Sequence, residues 1–148
     1  MKKKTVAAVL AHAAIALPAP AQQMKAEDEV KYRRAAYTLM ALNFSSLAAM
    51  AQEKKPFNKD EATRNADFVA LLATVPKGYF SEGTGKDTKA KSEIWEKRPD
   101  FDAKMEKMIG ETGKLPAVAR TGDVAAFKKQ VADTGAACKA CHDDYRAK

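Results

Sequence analysis

Apolar residues spaced three and four positions apart recur in four separate stretches of this 148-residue chain. Such spacing places the apolar side chains on one face of a helix, and none of the stretches alternates as a β-strand would. The four faces comprise, in chain order, Val30, Arg33, Tyr37, Met40, Phe44 and Leu47; Ala62, Ala66, Val69 and Leu72; Phe101, Met105, Met108, Thr112 and Leu115; and Phe127, Val131, Thr134, Cys138, Cys141 and Tyr145. Four one-sided helices predict an all-α fold, an antiparallel up-down-up-down four-helix bundle.

Several residues are typical of helix ends and interruptions. Asn58 and Asp123 stand where the second and fourth helices are expected to begin, and both residue types favour the N-cap position. Pro116 and two nearby glycines weaken the third helix, which we expect to begin near Asp100 and to bend around Pro116.

A long polar segment, residues 76–99, separates the second and third predicted helices. Loops of this length are uncommon in compact domains and are often functional. Ile94 and Trp95 interrupt its polarity, so we expect part of the loop to fold back onto the core.

The N-terminus is typical of a secretory signal peptide. Residues 1–21 combine three lysines, an apolar run and an Ala-Pro-Ala cleavage site, which leaves a mature domain of residues 22–148. A membrane anchor is the alternative, but the run of about 12 apolar residues is short of the ~20 that a spanning helix needs. We therefore expect an exported protein, with no membrane attachment after cleavage.

Charge excludes one class of partner. Loss of Lys2, Lys3 and Lys4 reduces the formal net charge from +7 to +4, and the remaining lysines are scattered among acids. No basic stripe with interleaved aromatic residues is present, so the sequence does not predict nucleic-acid binding.

Both cysteines of the chain lie beside a histidine in the last predicted helix, as Cys138, Cys141 and His142. Residues at i, i+3 and i+4 share one helical face, and Cys-x-x-Cys-His is the attachment signature of c-type haem. The thiols become thioethers on the porphyrin, and the imidazole coordinates the iron. A thioredoxin-like pair would need a βαβ context, and a structural zinc site would need four ligands, so both alternatives are weaker.

These features together resemble the cytochrome c′ family over essentially the whole mature chain. The segment "EDEVKYRRAAYTLMA" is similar to the first helix of that family, "SEIW" to part of its long loop, and "GAACKACHDDYRAK" to its C-terminal haem segment. The resemblance implies one covalent haem c per chain, with five-coordinate, largely high-spin iron and His142 as its axial ligand. It also implies a periplasmic homodimer, paired through its first two helices, that binds nitric oxide or carbon monoxide.

The resemblance assigns further residues to the haem site. Arg33 and Arg34 fall where the family places polar residues beside the haem, although glutamine is frequent at the second position. Glu93 falls in the loop segment that approaches the haem edge, and Arg146 falls next to the proximal imidazole. Tyr37 falls at the position that shields the distal side of the iron.

The role of the distal side stays open at this point. Tyr37 is interpreted as a plug that a small ligand displaces, as a hydrogen-bond donor to that ligand, or as a core aromatic residue without influence on it. Met40 carries the alternative function, since a related bundle cytochrome of the c-556 type uses a first-helix methionine as sixth ligand in a low-spin electron carrier.

Three classes of function therefore remain: a gas-binding haem protein, a mobile electron carrier and an enzyme. The enzyme hypothesis is the weakest, because the single histidine of the mature chain, His142, is assigned to the iron and none is left to move protons. We therefore expect a protein that is not an enzyme, and its redox partner is not identified.

Overall fold

The computed structural model describes residues 24–148, so the expected signal peptide lies outside the described residues. The helices are α1 (Ala26–Ala51), α2 (Lys59–Thr74), α3 (Glu93–Glu96), α4 (Arg98–Thr121) and α5 (Val124–Tyr145), with one 3-10 turn at Pro76–Gly78. Within this part of the chain the only β pairing is an isolated antiparallel bridge between Ala90 and Arg146.

The four long helices form a closed ring. Helix α1 packs against α2, α2 against α4, α4 against α5, and α5 returns to α1. The two residues between α4 and α5 are too few for anything but a reversal of direction, and the seven residues between α1 and α2 suit one as well. The predicted all-α four-helix bundle is confirmed.

Local side-chain chemistry fixes where two of these helices begin. The side chain of Asn58 accepts a hydrogen bond from the main-chain N–H of Glu61, and Asp123 accepts from the N–H groups of Ala125 and Ala126. Both predicted N-caps are confirmed. Gly122 ends α4 with a φ of 77°, a left-handed conformation that glycine adopts without strain.

Helix α4 continues past the residues that were expected to weaken it. It is helical from Arg98 to Thr121 with Pro116 inside, and Pro116 is itself buried. A proline inside a helix costs about 3 kcal/mol. Leu115 and Ala119 beside it are fully buried in the core, and their burial offsets that cost. The bend around Pro116 stays a prediction.

The long loop between α2 and α4 does fold back onto the bundle. Ile94 is buried at 2 % exposure, and the indole nitrogen of Trp95 donates to the carbonyl oxygens of Phe80 and Ser81 at 3.1 and 3.0 Å. Gly85 lies against the same ring, where an added Cβ would come within 2.8 Å of the indole. The short helix α3 was not predicted, since a single turn is too brief to show a helical period.

The buried side chains fall into two clusters stacked along the bundle. One, around Leu47, Leu115 and Phe127, lies between the end of α1 and the α4–α5 turn. The other, around Phe80, Phe101 and Tyr145, lies toward the C-terminal end of α5, and both cysteines pack against it. The second cluster therefore forms the surroundings of the predicted haem attachment motif.

Among residues 24–148, no helix combines the length and the apolar character that crossing a bilayer requires.

Candidate haem site

A cavity of about 580 Å³ opens beside the attachment motif, within the bundle. Helices α1, α4 and α5 and the long loop all contribute to its wall. Cys138, Cys141 and His142 line it together, because their i, i+3 and i+4 spacing on α5 turns all three toward the same side. The structure thus brings the whole predicted attachment motif to one cavity.

Partial burial sets the protonation of these three groups. Burial raises the pKa of both thiols, to about 11 for Cys141, and the two cysteines are not joined in a disulfide. Burial also lowers the pKa of the His142 imidazole. The imidazole is therefore neutral at pH 7 and has an unprotonated ring nitrogen, which is the form that coordinates a metal.

Tyr37 lines the same cavity from α1, while the attachment motif lines it from α5. Its phenol donates to the sulfur of Met105 at 3.7 Å. Burial raises the pKa of the Tyr37 phenol far above its ordinary value, so the group stays protonated at neutral pH. A neutral phenol is a poor iron ligand, in contrast to the tyrosinate of some haem proteins.

Met40 also reaches the cavity, one helical turn beyond Tyr37. Its half-buried side chain packs against both apolar clusters, as a core methionine does. Two side chains of α1 therefore line the cavity: Tyr37, whose neutral phenol is a poor metal ligand, and Met40, whose thioether sulfur is able to coordinate a metal.

Arg33 lines the cavity, and its guanidinium is hydrogen-bonded to the long loop. It is 3 % exposed, and its guanidinium donates to the carbonyl oxygen of Tyr79 at 2.8 Å and to the hydroxyl of Thr84 at 2.7 Å. A further donor bonds the carbonyl oxygen of Thr84, and the guanidinium lies 4.4 Å from the centroid of the Phe80 ring. Arg33 therefore anchors the loop wall of the cavity to α1.

Arg34 and Arg146 lie at the exposed mouth of the cavity and contribute to its lining. One donor of Arg34 reaches the carbonyl oxygen of Asp87 at 2.6 Å, which leaves its other donors available for an anionic group. Glu93 begins α3 and is not among the residues that line the cavity. The structure thus places Arg34 and Arg146, but not Glu93, beside the attachment motif.

Some lining residues were not predicted as site residues. Phe80 and Ala90 come from the long loop, which has no periodicity to indicate which side chains turn inward. Tyr145 lines the cavity at 3 % exposure, and its phenol donates to Asp100 at 2.5 Å. That bond to Asp100, with burial, raises the pKa of Tyr145 to about 12. The i+4 spacing of Tyr145 from Cys141 had placed it on the predicted apolar face of the last helix, although not among the site residues.

The cavity fits a haem group. Its volume lies within the range of about 300–1,000 Å³ that small-molecule and cofactor sites occupy. The lining surface is mainly apolar, which suits a porphyrin face, and the arginine side chains at the mouth have the charge to pair with porphyrin carboxylates. The thiols of Cys138 and Cys141 suit covalent attachment of the porphyrin, and the imidazole nitrogen of His142 suits coordination of its iron.

Comparison with known proteins gives a consistent result. The family model described as Cytochrome C' matches residues 28–146. Cytochrome c' of Rubrivivax gelatinosus is 40% identical over 129 residues, which is 86% of this chain and 100% of the relative.

Solved structures agree with the sequence comparison. The structure of cytochrome c prime from Shewanella frigidimarina matches with a TM-score of 0.82 at 37% identity, over 86% of this chain and 100% of that one. A nitric oxide complex of a cytochrome c prime variant from Alcaligenes xylosoxidans matches with a TM-score of 0.77 at 35% identity, over 84% of this chain and 98% of that one. The chain therefore belongs to the cytochrome c′ family, whose members bind haem c covalently.

Proposed function

We propose that the protein is an exported haem protein whose iron has one protein ligand and binds nitric oxide or carbon monoxide. Cys138 and Cys141 would hold the haem as thioethers, and His142 would coordinate its iron. When bound, the haem supplies an iron centre that accepts a small diatomic ligand and exchanges one electron. The residues of this chain attach it, orient it and control what reaches it.

The observation that carries this proposal is that His142 on α5 and Tyr37 on α1 line the same cavity. Burial keeps the Tyr37 phenol protonated, so this side chain offers bulk in place of a ligand bond. A ring of this size excludes water, and only a small neutral molecule is expected to displace it. Nitric oxide complexes of an Alcaligenes relative support the choice of ligand.

Tyr37 stands as a plug rather than a hydrogen-bond donor to ligand in this proposal. Its hydroxyl is directed to the sulfur of Met105, a weak acceptor. A bound diatomic would need to replace that bond, so steric exclusion is the larger effect. The core-residue interpretation predicts no change in ligand affinity when the ring is removed, which separates it from the plug.

The experiment that tests the function is a titration of the purified ferrous protein with nitric oxide and with carbon monoxide, followed at the Soret band. Saturable spectral change with both gases is expected. A matched Met40→Leu variant tests the alternative, because it removes the thioether at nearly constant volume. If Met40 is the sixth ligand, the variant will bind carbon monoxide far more readily than the parent, whereas the proposal predicts closely similar affinities.

The exposed faces of α1 and α2 support the homodimer. Leu39 and Leu42 on α1 are 50 % and 67 % exposed, and Phe68 and Leu71 on α2 are 49 % and 65 % exposed. Large apolar side chains grouped on a surface mark an interaction site. We propose that two copies pair through this face. Light scattering is expected to give twice the chain mass for the parent, and the monomer mass for a Leu42→Lys, Leu71→Lys double variant.

Export to the periplasm completes the proposal, with cleavage after Ala21. The charged start and the apolar run of residues 1–21 support it, and covalent haem attachment outside the cytoplasm is consistent with it. Mass spectrometry of the secreted protein is expected to find Gln22 at the N-terminus. A mature protein that retains residues 1–21 would contradict this part of the proposal.

A further inference from the structure

The isolated bridge between Ala90 and Arg146 joins two basic stretches of sequence, residues 86–91 and 146–148. The main-chain N–H of Ala147 donates to the carbonyl oxygen of Lys89 at 2.8 Å, and that of Lys91 donates to the carbonyl oxygen of Tyr145 at 3.1 Å. Because Arg146 and Ala90 line the cavity, the paired stretches lie at its mouth.

With the neighbouring side chain of Arg34, these stretches form a group that we call the basic rim. Its six cations are Arg34, Lys86, Lys89, Lys91, Arg146 and Lys148. The only acidic side chain in the same segments is Asp87, so the rim has a net side-chain charge of +5. The other described residues hold seventeen cations and eighteen carboxylates, a net charge of −1. The positive excess of the mature chain is therefore concentrated at the cavity mouth.

Nothing in residues 24–148 neutralises the rim through ion pairs. Arg34 donates to the carbonyl oxygen of Asp87, and Lys91 donates to those of Asp143 and Asp144, so these bonds leave the positive charges uncompensated. The nearby carboxylates of Asp143 and Asp144 are paired with lysines outside the rim, one on α5 and one on α4. Subtracting the two carboxylates of a haem and that of the C-terminus still leaves the rim at about +2.

We propose that the basic rim is the docking surface for an acidic electron-transfer protein. This inference rests on the proposed function, since it requires electron exchange with the haem. A positive surface around the mouth attracts and orients a partner of opposite charge, which accelerates encounter at low ionic strength. Docking there places the redox group of the partner beside the cavity that holds the haem, where the path for the electron is shortest.

An anionic membrane surface is the competing occupant, and the apolar side chains argue against it. Surface helices that bind bilayers insert large apolar residues beside their cations. Among the described residues, the exposed large apolar side chains all lie outside the rim. They are Met24 before α1, Tyr32, Leu39 and Leu42 on α1, Phe68 and Leu71 on α2, and Val124 at the start of α5. The rim therefore has charge without an inserting apolar face, as suits a transient protein contact.

The test is stopped-flow reduction of the ferric holoprotein by flavodoxin hydroquinone, an acidic one-electron donor. One electron passes to the iron, which becomes ferrous, and a flavin semiquinone remains. The rim variant is Lys86→Glu with Lys148→Glu. The control is Lys54→Glu with Lys59→Glu, which makes the same charge change at the α1–α2 turn, at the opposite end of the bundle. The parent, the rim variant and the control variant are each compared from about 10 mM to about 0.5 M ionic strength.

The parent rate is expected to fall steeply with salt. At low ionic strength the rim variant should react about tenfold more slowly than the parent, and the control within about twofold of it. The proposal would be overturned if both variants lost reduction rate equally, or if the rate did not depend on salt. It would also be overturned if the protein sedimented with phosphatidylglycerol vesicles and showed no salt-dependent reaction with flavodoxin. Carbon monoxide titration of the same samples separates the outcomes, because intact gas binding would leave the proposed function standing.

Discussion

Replacement of Arg33 by methionine tests the interpretation that this side chain anchors the long loop. Methionine keeps the apolar stem and removes the guanidinium. The loss leaves two carbonyl oxygens, of Tyr79 and Thr84, without the donor that they have now. The hydroxyl of Thr84 keeps a partner, since it also donates to the carbonyl oxygen of Ser81.

The expected magnitude follows from these contacts. Each carbonyl oxygen left unsatisfied in a buried setting costs about 1–3 kcal/mol, and loss of the contact with Phe80 adds about 0.5–2 kcal/mol. Relief of the cost of burying a charge offsets part of this sum. We therefore expect Arg33→Met to lower the free energy of unfolding by about 3 kcal/mol, with faster amide exchange concentrated in residues 79–88.

The assay is urea unfolding of the holoprotein followed by far-ultraviolet circular dichroism, with hydrogen exchange read by mass spectrometry. Arg34→Met is the matched control, because that arginine is exposed and makes one bond to the loop, and its loss is expected to cost under about 0.5 kcal/mol. If Arg33→Met costs no more than the control, or leaves exchange in the loop unchanged, the anchoring interpretation is wrong.

Three further predictions concern the cavity, the core and the loop. Tyr37→Ala is expected to tighten carbon monoxide binding about tenfold, equivalent to about 1.4 kcal/mol, in an equilibrium titration; unchanged affinity would show that Tyr37 does not guard the iron. The carboxylate of Glu111 is bonded chiefly by the ammonium of Lys107, which helps lower its pKa to about 2. That depressed pKa stabilises the fold above the ordinary value of about 4.3, and the stabilisation is lost as pH falls through about 2. The melting temperature of Glu111→Gln should therefore lie below that of the parent at pH 7 and equal it near pH 2. A difference in melting temperature that persists at pH 2 would refute this cause. Gly85→Ala is expected to cost about 1–3 kcal/mol because its Cβ would meet the Trp95 ring, and a melting temperature equal to that of the parent would contradict this packing.

The parts of the molecule that follow a period were predictable from the sequence. The side chains at three- and four-residue spacing are buried or half-buried. The caps at Asn58 and Asp123 act through bonds that span three residues or fewer. The attachment motif was equally readable, because Cys138 and His142 are neighbours on one helical turn.

The loop and the role of Arg33 were not predictable in the same way. Arg33 falls on the predicted apolar face, but its partners lie 46 and 51 residues away in a segment without periodicity. The resemblance placed Arg33 beside the haem, and Arg33 does line the cavity, but its bonds to the loop were not indicated by the sequence. Pairing of two basic stretches through Ala90 and Arg146 is also a long-range contact that neither stretch reveals alone.

The most direct test of the central claim is the spin state of the iron in the purified holoprotein, read from optical and electron paramagnetic resonance spectra of the ferric form. With His142 as the only protein ligand, the account predicts a high-spin, five-coordinate spectrum at rest. A low-spin, six-coordinate spectrum with the absorption band of a methionine sulfur on ferric iron would contradict it and would favour Met40 as the sixth ligand.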